Sequence, residues 1–337
     1  MKRFLVVLSV CACVFIASAA NAADALFDSA AVVAKARALN EAVKLSDAAT
    51  LWASFDDRMQ AAMGGDVSKF ETILKQITGQ VGVMQEVIRE DVSMVGDNWV
   101  YRGVCRYTKV PKPLITQYAF TTFGKVAGFR VIPDVKEYDS KFLDYQTKTV
   151  LHLPFNGQWL VAWGGRTLEQ NYHAALRDQR FAYDLIAVKD SVDHIGTGRL
   201  LSDYYAFGMA ILAPAAGTVV EATDGANDNA IGKTDAKAPA GNHVVIDFGN
   251  SEFGVLAHMK RGTVRVKVGD KVAMGDTLGL CGNSGNTSQP HLHFHLQNGP
   301  RLFEADGLPA PFVDYLSGGK PVDKGEPVHR EIIERKP

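Results

Sequence analysis

The pattern of hydrophobic and polar positions divides the 337-residue chain into regions of different character. From residue 23 to about residue 80, apolar residues recur at spacings of three and four, which predicts helices. The following stretch is rich in β-branched and aromatic residues and is interrupted by glycine and proline, which predicts strands. Helices followed by antiparallel strands indicate an α+β accessory domain over residues 23–145.

Residues 146–337 show short strand-like segments separated by glycine-rich turns. The segments GNHVVIDFGN and EFGVLAHM are examples, and they follow one another closely along the chain. Strand signals at this spacing are typical of antiparallel barrels and sandwiches. We therefore predict a mainly antiparallel β domain, barrel-like or sandwich-like, with Trp159 and Trp163 in its core. We expect the polar tail from Pro321, which includes His329, to run over the surface.

The first 22 residues have the parts of a secretory signal peptide. A positive start precedes an apolar run over residues 4–17, and small residues at 20–22 provide a cleavage site. A lipoprotein signal at Cys11 or Cys13 is disfavoured by the bulky residue before the first and the early position of the second. The run is short for a bilayer span, and no later stretch is long enough to cross one. We expect an exported protein, periplasmic or extracellular, without a transmembrane segment.

Charge and cysteine content narrow the possible partners. The 36 Lys and Arg residues nearly balance the 37 Asp and Glu residues, so nothing suggests a nucleic-acid or polybasic membrane partner. Two cysteines follow the signal peptide, Cys105 and Cys281, far apart in the chain. Export permits a disulfide between them, and two free buried thiols are the alternative. No pattern in the chain predicts its oligomeric state.

Three of the nine histidines lie within five residues in the segment QPHLHFHL, namely His291, His293 and His295. Side chains two residues apart on a strand share a face and lie about 6.5–7 Å apart, so one metal ion cannot readily take all three. Two neighbours serve one site if one binds the metal and the other contacts the water or substrate beside it. For each histidine alone, a satisfied core or surface position is the alternative.

Further candidate ligands lie upstream of this segment. LAHM places His258 at the end of an apolar strand, and NYHAALRDQRFAYDL holds both His173 and Asp184. Asp184 follows the apolar and aromatic residues FAY, an unusual place for a carboxylate unless something binds it. Two imidazoles, one carboxylate and a water form a common catalytic zinc site.

These motifs resemble the lysostaphin-type zinc endopeptidases, also called the LytM or β-lytic family. The resemblance covers roughly residues 208–297 and the Asp184 region, and GNSGNTSQPHLHFHL together with LAHM is its most specific part. It implies one Zn²⁺ per chain, with Asp184 and His293 among the ligands and His258 and His291 as catalytic residues. It also implies hydrolysis of peptide bonds in bacterial cell-wall peptidoglycan.

The resemblance departs from the family at the first metal ligand. The family motif His-x-Gly-x-Asp reads Arg-Phe-Ala-Tyr-Asp here, and Arg180 cannot bind zinc because it stays protonated and has no acceptor. We therefore expect the ligand to be His173, as in a variant branch of the family that shifts this histidine upstream. His152, His194 and a two-ligand site without stable metal are the alternatives.

The second departure is His295, which stands where the family often has glutamate, and we expect it next to the ligands or exposed. In the expected mechanism, His291 takes a proton from the zinc-activated water and His258 donates a hydrogen bond to the oxyanion, or the two roles are exchanged.

The N-terminal domain resembles a nuclear-transport-factor-like module, because FTTFGKVAGFRVIP follows two predicted helices. We expect it to act as a spacer or docking module. Two rival hypotheses concern the whole protein. One is a non-catalytic family member that binds peptidoglycan and activates other wall hydrolases, and the other is a β-rich binding module with incidental histidines.

Overall fold

A computed structural model describes residues 27–336, which divide into two compact units. The first unit ends at Val135 and the second begins at Lys136. Residues 136–145, predicted to belong to the first domain, thus lie in the second unit. The predicted signal peptide lies outside the described residues. Within residues 27–336, no helix is long and apolar enough to cross a membrane.

The described part of the first unit begins with helices that share one kind of N-cap. In each case an aspartate carboxylate accepts a hydrogen bond from a backbone N–H of the first turn, which satisfies a group that the helix leaves unpaired. The helices are α1 Ser29–Lys44, α2 Ala48–Ser54, α3 Asp57–Ala62 and α4 Val67–Val81.

An antiparallel sheet follows the helices, with its strands in sequence order. They are β1 Met84–Val95, β2 Asn98–Tyr107, β3 Leu114–Phe120 and β4 Val126–Pro133. Helices and sheet share an aromatic core in which Phe70 packs edge-on against Phe129. Asn40 is buried there and bonds the hydroxyls of Tyr101 and Tyr118 at 3.1 and 3.0 Å. The helices and the antiparallel strands that the pattern predicted are both present.

The second unit consists mainly of antiparallel strands, as the pattern predicted. Its large sheet has the order β11-β8-β9-β10-β13-β6-β5-β17-β15-β16, with β14 beside β13, and β12 pairs separately with β7. The strands are β5 Trp159–Trp163, β6 Tyr183–Ala187, β7 Ala210–Leu212, β8 Gly217–Thr223, β9 Asn242–Asp247, β10 Phe253–Met259, β11 Lys271–Val272, β12 Thr277–Leu280, β13 Leu292–Gln297, β14 Gly307–Leu308, β15 Phe312–Ser317, β16 Lys320–Gly325 and β17 Ile332–Arg335.

Strand β13 lies between β10 and β6, and its two faces differ in chemistry. Successive side chains on a strand point to opposite faces. One face sends Leu292, Phe294 and Leu296 into the hydrophobic core of the unit. The other face carries His293 and His295, which are also buried. The strand that holds the central histidines is therefore anchored by the core behind it.

The C-terminal tail and Trp163 differ from the sequence-based expectations, and the structure decides between the two alternatives for the cysteines. The tail is not a surface extension, because β17 pairs with β5 and β15, and its Ile333 is fully buried. Trp159 is in the core as predicted, but Trp163 is only partly buried and stacks on the ring of His329. Cys105 and Cys281, the two cysteines among the described residues, are buried and free rather than paired.

Candidate metal centre

Asp184 and His293 face each other directly across two neighbouring strands. They are register partners in the antiparallel pair of β6 and β13. The Nδ1 atom of His293 lies 2.9 Å from Oδ1 of Asp184, and both residues are buried. The strand pairing therefore sets this contact, and the odd carboxylate after FAY has an imidazole as its partner.

His173 reaches the same carboxylate from outside the sheet. It lies on a short 3₁₀ turn, Tyr172–Ala175, and is almost completely buried. Its Nε2 is 3.7 Å from Oδ2 of Asp184, and its ring centre is 5.0 Å from that of His293. One possible ligand atom from each of these three residues lies within 4.8 Å of the other two.

Asn171 orients the ring of His173, and sequence reasoning missed it. Its side-chain amide donates to the carbonyls of Gly165 and Ala182 at 3.1 and 2.8 Å, which fixes the side-chain oxygen on the opposite side. That oxygen lies 2.9 Å from Nδ1 of His173. His173 therefore donates from Nδ1 and keeps a lone pair on Nε2. The only sequence signal was an asparagine two residues before the histidine.

His258 is aimed by an irregular piece of β10. The pairing with β9 shifts register between Leu256 and Met259, and the backbone φ of His258 is +65°. Bulges of this kind turn a strand side chain away from its regular direction. Nδ1 of His258 lies 2.8 Å from the carbonyl oxygen of Ser284, so this nitrogen donates and Nε2 is left free.

His291 lies directly before β13 and beside His258, with ring centres 4.7 Å apart. Its Nδ1 is 3.0 Å from the carbonyl oxygen of Gln289, which can only accept, so Nδ1 carries a proton. Its Nε2 is 3.4 Å from Oδ1 of Asp184. The structure therefore brings the five residues singled out in the sequence into one site.

Arg180, which occupies the family's first-ligand position, and the alternative ligands His152 and His194 lie outside the cluster. Arg180 is buried and donates from Nε to the carbonyl of Tyr138 at 3.0 Å, with its guanidinium against Phe181. His194 is hydrogen-bonded to Asp193 at 2.6 Å. Neither His194 nor His152 belongs to the three-residue cluster around Asp184.

The structure makes one of the two expectations for His295 wrong. This residue is only 3% exposed, and its Nδ1 lies 2.9 Å from Nε2 of His293. It is therefore not a surface residue but a direct neighbour of a candidate ligand.

Burial and the central carboxylate together set the protonation of the site. Burial lowers the pKa of His173 to about 3 and holds the pKa of His258 well below its usual range. Burial disfavours charge on His291 as well, but attraction to Asp184 outweighs it and raises its pKa. Burial alone would raise the pKa of Asp184, yet the surrounding imidazoles hold it well below its usual range. A carboxylate thus faces a neutral imidazole, as a metal site requires.

The donor set fits zinc. Two imidazoles and one carboxylate are ligands that Zn²⁺ takes in catalytic sites, with the fourth position left to water or substrate. The neutral His173 and the charged Asp184 supply a lone pair and a compensating negative charge.

A cleft of about 70 Å³ gives access to this cluster. Tyr172 and Phe303 line it and are about half exposed, at 49% and 52%. The hydroxyl of Tyr172 donates to Oδ2 of Asp184 at 3.2 Å. An open cleft next to the cluster gives a ligand a route to it.

Comparison with known proteins identifies this part of the chain. Residues 203–304 match the model of peptidase family M23. Residues 203–304 therefore have the sequence of an M23 peptidase domain. The match includes His258, His291 and His293, and it begins after Asp184. The predicted lysostaphin-type resemblance is thereby confirmed.

Curated relatives match over short segments. The peptidoglycan DD-endopeptidase ShyA of Vibrio cholerae is 44% identical over 57 residues, which are 17% of this chain and 13% of that protein. Endolysin 2638A of Staphylococcus phage 2638A is 38% identical over 95 residues, 28% of this chain and 17% of the endolysin. The chain thus spans less than a fifth of the length of these relatives.

A solved structure gives a weaker likeness. The catalytic domain of the antimicrobial peptidase lysostaphin from Staphylococcus simulans is 20% identical, with a TM-score of 0.28. The comparison covers 44% of this chain and 86% of that domain.

Proposed function

We propose that the protein is a zinc-dependent endopeptidase that hydrolyses peptide bonds in bacterial cell-wall peptidoglycan. The convergence of His173, Asp184 and His293, with His258 and His291 beside them, is the observation that carries the proposal. The substrate class is supported by the M23 domain and by the names of the relatives, one a peptidoglycan endopeptidase and one an endolysin.

The proposed metal ligands and the proposed catalytic residues are two separate groups of side chains. His173, Asp184 and His293 would hold one Zn²⁺, which lowers the pKa of a bound water and polarises the scissile carbonyl. His258 and His291 both commit Nδ1 to a backbone carbonyl, so each would act through Nε2. Nε2 of His291 also lies beside the carboxylate of Asp184.

One of these two histidines would take a proton from the zinc-activated water, and the other would donate a hydrogen bond to the oxyanion, in either order.

Cleavage of purified peptidoglycan, followed by the release of new amino groups, tests the proposal. We expect His258→Ala and His291→Ala to retain zinc and lose about 100- to 10,000-fold in rate, the usual contribution of a general acid or base. His194→Ala is the matched control and should keep full activity. Wild-type protein that binds no zinc and releases amino groups only when another wall hydrolase is added would instead support the non-catalytic activator hypothesis.

The proposal includes export through the signal peptide at residues 1–22 and periplasmic or extracellular action, because the substrate lies outside the cytoplasm. It also includes a spacer or docking role for the first unit, whose nuclear-transport-factor-like identity stays a prediction. Removal of the signal peptide is checked by N-terminal sequencing of the exported protein, which we expect to begin at Ala23. An N-terminus at Met1 would contradict it.

A further inference from the structure

A line of buried hydrogen bonds leads away from the metal side of the site along β13. Nε2 of His293 lies 2.9 Å from Nδ1 of His295, and Nε2 of His295 lies 3.1 Å from Oε1 of Gln297. Gln297 is fully buried at the far end. The same pleated face that carries the candidate ligand therefore carries two more polar residues, which the proposed chemistry does not use.

The direction of these bonds follows from the amide of Gln297. Its Nε2 donates to the carbonyl oxygens of Gly299 at 2.7 Å and Arg301 at 3.3 Å. A reversed amide would set its oxygen against two oxygens that cannot donate, so this orientation is fixed. Oε1 therefore faces His295 and can only accept.

The direction of the bond between His295 and Gln297 sets the direction of the next bond, between His295 and His293. Because Oε1 of Gln297 accepts, Nε2 of His295 is the donor. His295 is buried and neither of its two partners is a carboxylate, so a second proton on the ring would leave an uncompensated buried charge, and Nδ1 is therefore an acceptor. The remaining bond needs a donor, which is Nε2 of His293.

The opposite nitrogen of His293 is thereby left with a lone pair. This Nδ1 is 2.9 Å from Oδ1 of Asp184, and a lone pair facing a carboxylate oxygen is favourable only with a cation or a proton between them. Metal-binding histidines generally donate their other ring N–H to a neighbouring acceptor, which sets the tautomer and the ring orientation.

We propose that Gln297, acting through His295, is a positioning residue that fixes His293 with its proton on Nε2 and its lone pair on Nδ1 toward the metal. The inference rests on the proposed zinc site, and it concerns residues of β13 that make no contact with substrate in that proposal. Asn171 performs the matching task for His173, by one bond instead of two.

The zinc dissociation constant, measured by competition with a chromophoric chelator, is the first readout. Gln297→Met keeps the length of the side chain and removes the acceptor, so we expect zinc binding about tenfold weaker, as for other outer partners of metal-binding histidines. His295→Phe should weaken binding similarly, whereas His295→Glu should retain it, because a carboxylate accepts from His293 directly.

A double variant separates positioning from packing. In the His295→Glu background, Gln297 is no longer needed to set polarity, so adding Gln297→Met should leave the zinc dissociation constant within about twofold. If Gln297→Met weakens zinc binding equally in both backgrounds, Gln297 acts by packing and the proposal is wrong. Equal zinc affinity of His295→Phe and His295→Glu overturns it as well, and does not depend on the folding of the Gln297 variants.

A spectroscopic readout distinguishes failure of the positioning role of Gln297 from failure of the zinc site. The ¹⁵N chemical shifts of the imidazole of His295 in metal-free protein should show the proton on Nε2. If wild-type protein binds no zinc but His295 has this tautomer, the proposed function fails while the hydrogen-bond directions inferred for His295 stand. A proton on Nδ1, or on both nitrogens, overturns the positioning role whether or not zinc binds.

Discussion

Individual hydrogen bonds place the imidazoles of the site without the help of a metal. His173, His258 and His291 each use Nδ1 for a bond to an oxygen whose role is fixed, two of them backbone carbonyls. His293 differs, since its Nε2 lies 2.9 Å from His295 and its Nδ1 lies 2.9 Å from Asp184. The rings of His173, His258 and His291 are therefore held by these bonds, and zinc binding does not have to order them.

Glu252 offers a prediction at the same scale but away from the site. It is fully buried and accepts from the hydroxyl of Tyr145, the backbone N–H groups of Lys148 and Thr149, and the hydroxyl of Thr149. Glu252→Gln replaces one carboxylate oxygen with an NH₂ group, which cannot accept a hydrogen bond from these donors. We expect it to lower the free energy of unfolding in urea by about 2 kcal/mol at pH 7, the scale of a hydrogen bond to a charged group.

The same residue predicts a dependence on pH. Burial would raise the pKa of Glu252, but the hydrogen bonds from residues 148 and 149 outweigh it and the pKa is lowered. The stabilisation is therefore present above the pKa of glutamate in the unfolded chain and is lost as pH falls through the lower pKa of the folded state. The gap to Glu252→Gln should shrink on acidification, and exposed Glu304→Gln is the control. A gap that widens would contradict this account.

At the scale of elements, the turn after β12 supports β10, the strand that carries His258. The carbonyl of Ser284 accepts from His258, and the hydroxyl of Ser284 donates to the carbonyl of Met259 at 2.7 Å. Gly285 has a φ of +90°, and an added Cβ would lie 2.5 Å from the backbone nitrogen of Gly241. The segment GNSGN is therefore a tightly packed support for His258 as well as a turn.

Gly285→Ala tests this support against a matched glycine. Gly275 has the same φ of +90° but open space around its Cβ position. Alanine at either position suffers the strain of a left-handed backbone, and only Gly285→Ala also overpacks, which typically costs about 1–3 kcal/mol more. We expect that difference in urea unfolding, together with a lower kcat for Gly285→Ala alone. Equal destabilisation by the two variants would show that the turn is not tightly packed.

Regular elements could be predicted from the sequence, and irregular contacts could not. Alternation predicts that His293 and His295 share a face, because pleating is a property of any strand. That His173 meets Asp184 depends on a 3₁₀ turn, and no periodic pattern marks such a turn. The position of β17 is equally hidden, because its charged residues predict a surface tail while the single residue Ile333 fills a place in the core. The role of Gln297 follows only from hydrogen-bond directions.

At the scale of the whole molecule, each unit has its own hydrophobic core. We therefore expect two transitions in calorimetry, of which only the one from the second unit rises in temperature when zinc is added. Zinc at 100 times its dissociation constant stabilises the state that binds it by about 2.7 kcal/mol. Phe70→Ala, in the core of the first unit, should lower only the other transition. A single transition that both changes move would contradict independent units.

The zinc content of purified protein, with and without His173, tests the central claim most directly. We predict one Zn²⁺ per chain in wild-type protein, in His152→Ala and in His194→Ala, and almost none in His173→Ala after dialysis. The reason is that only His173 of these three contributes a ligand atom to the cluster with Asp184 and His293. One tightly bound zinc in His173→Ala, or none in the wild type, would contradict the account.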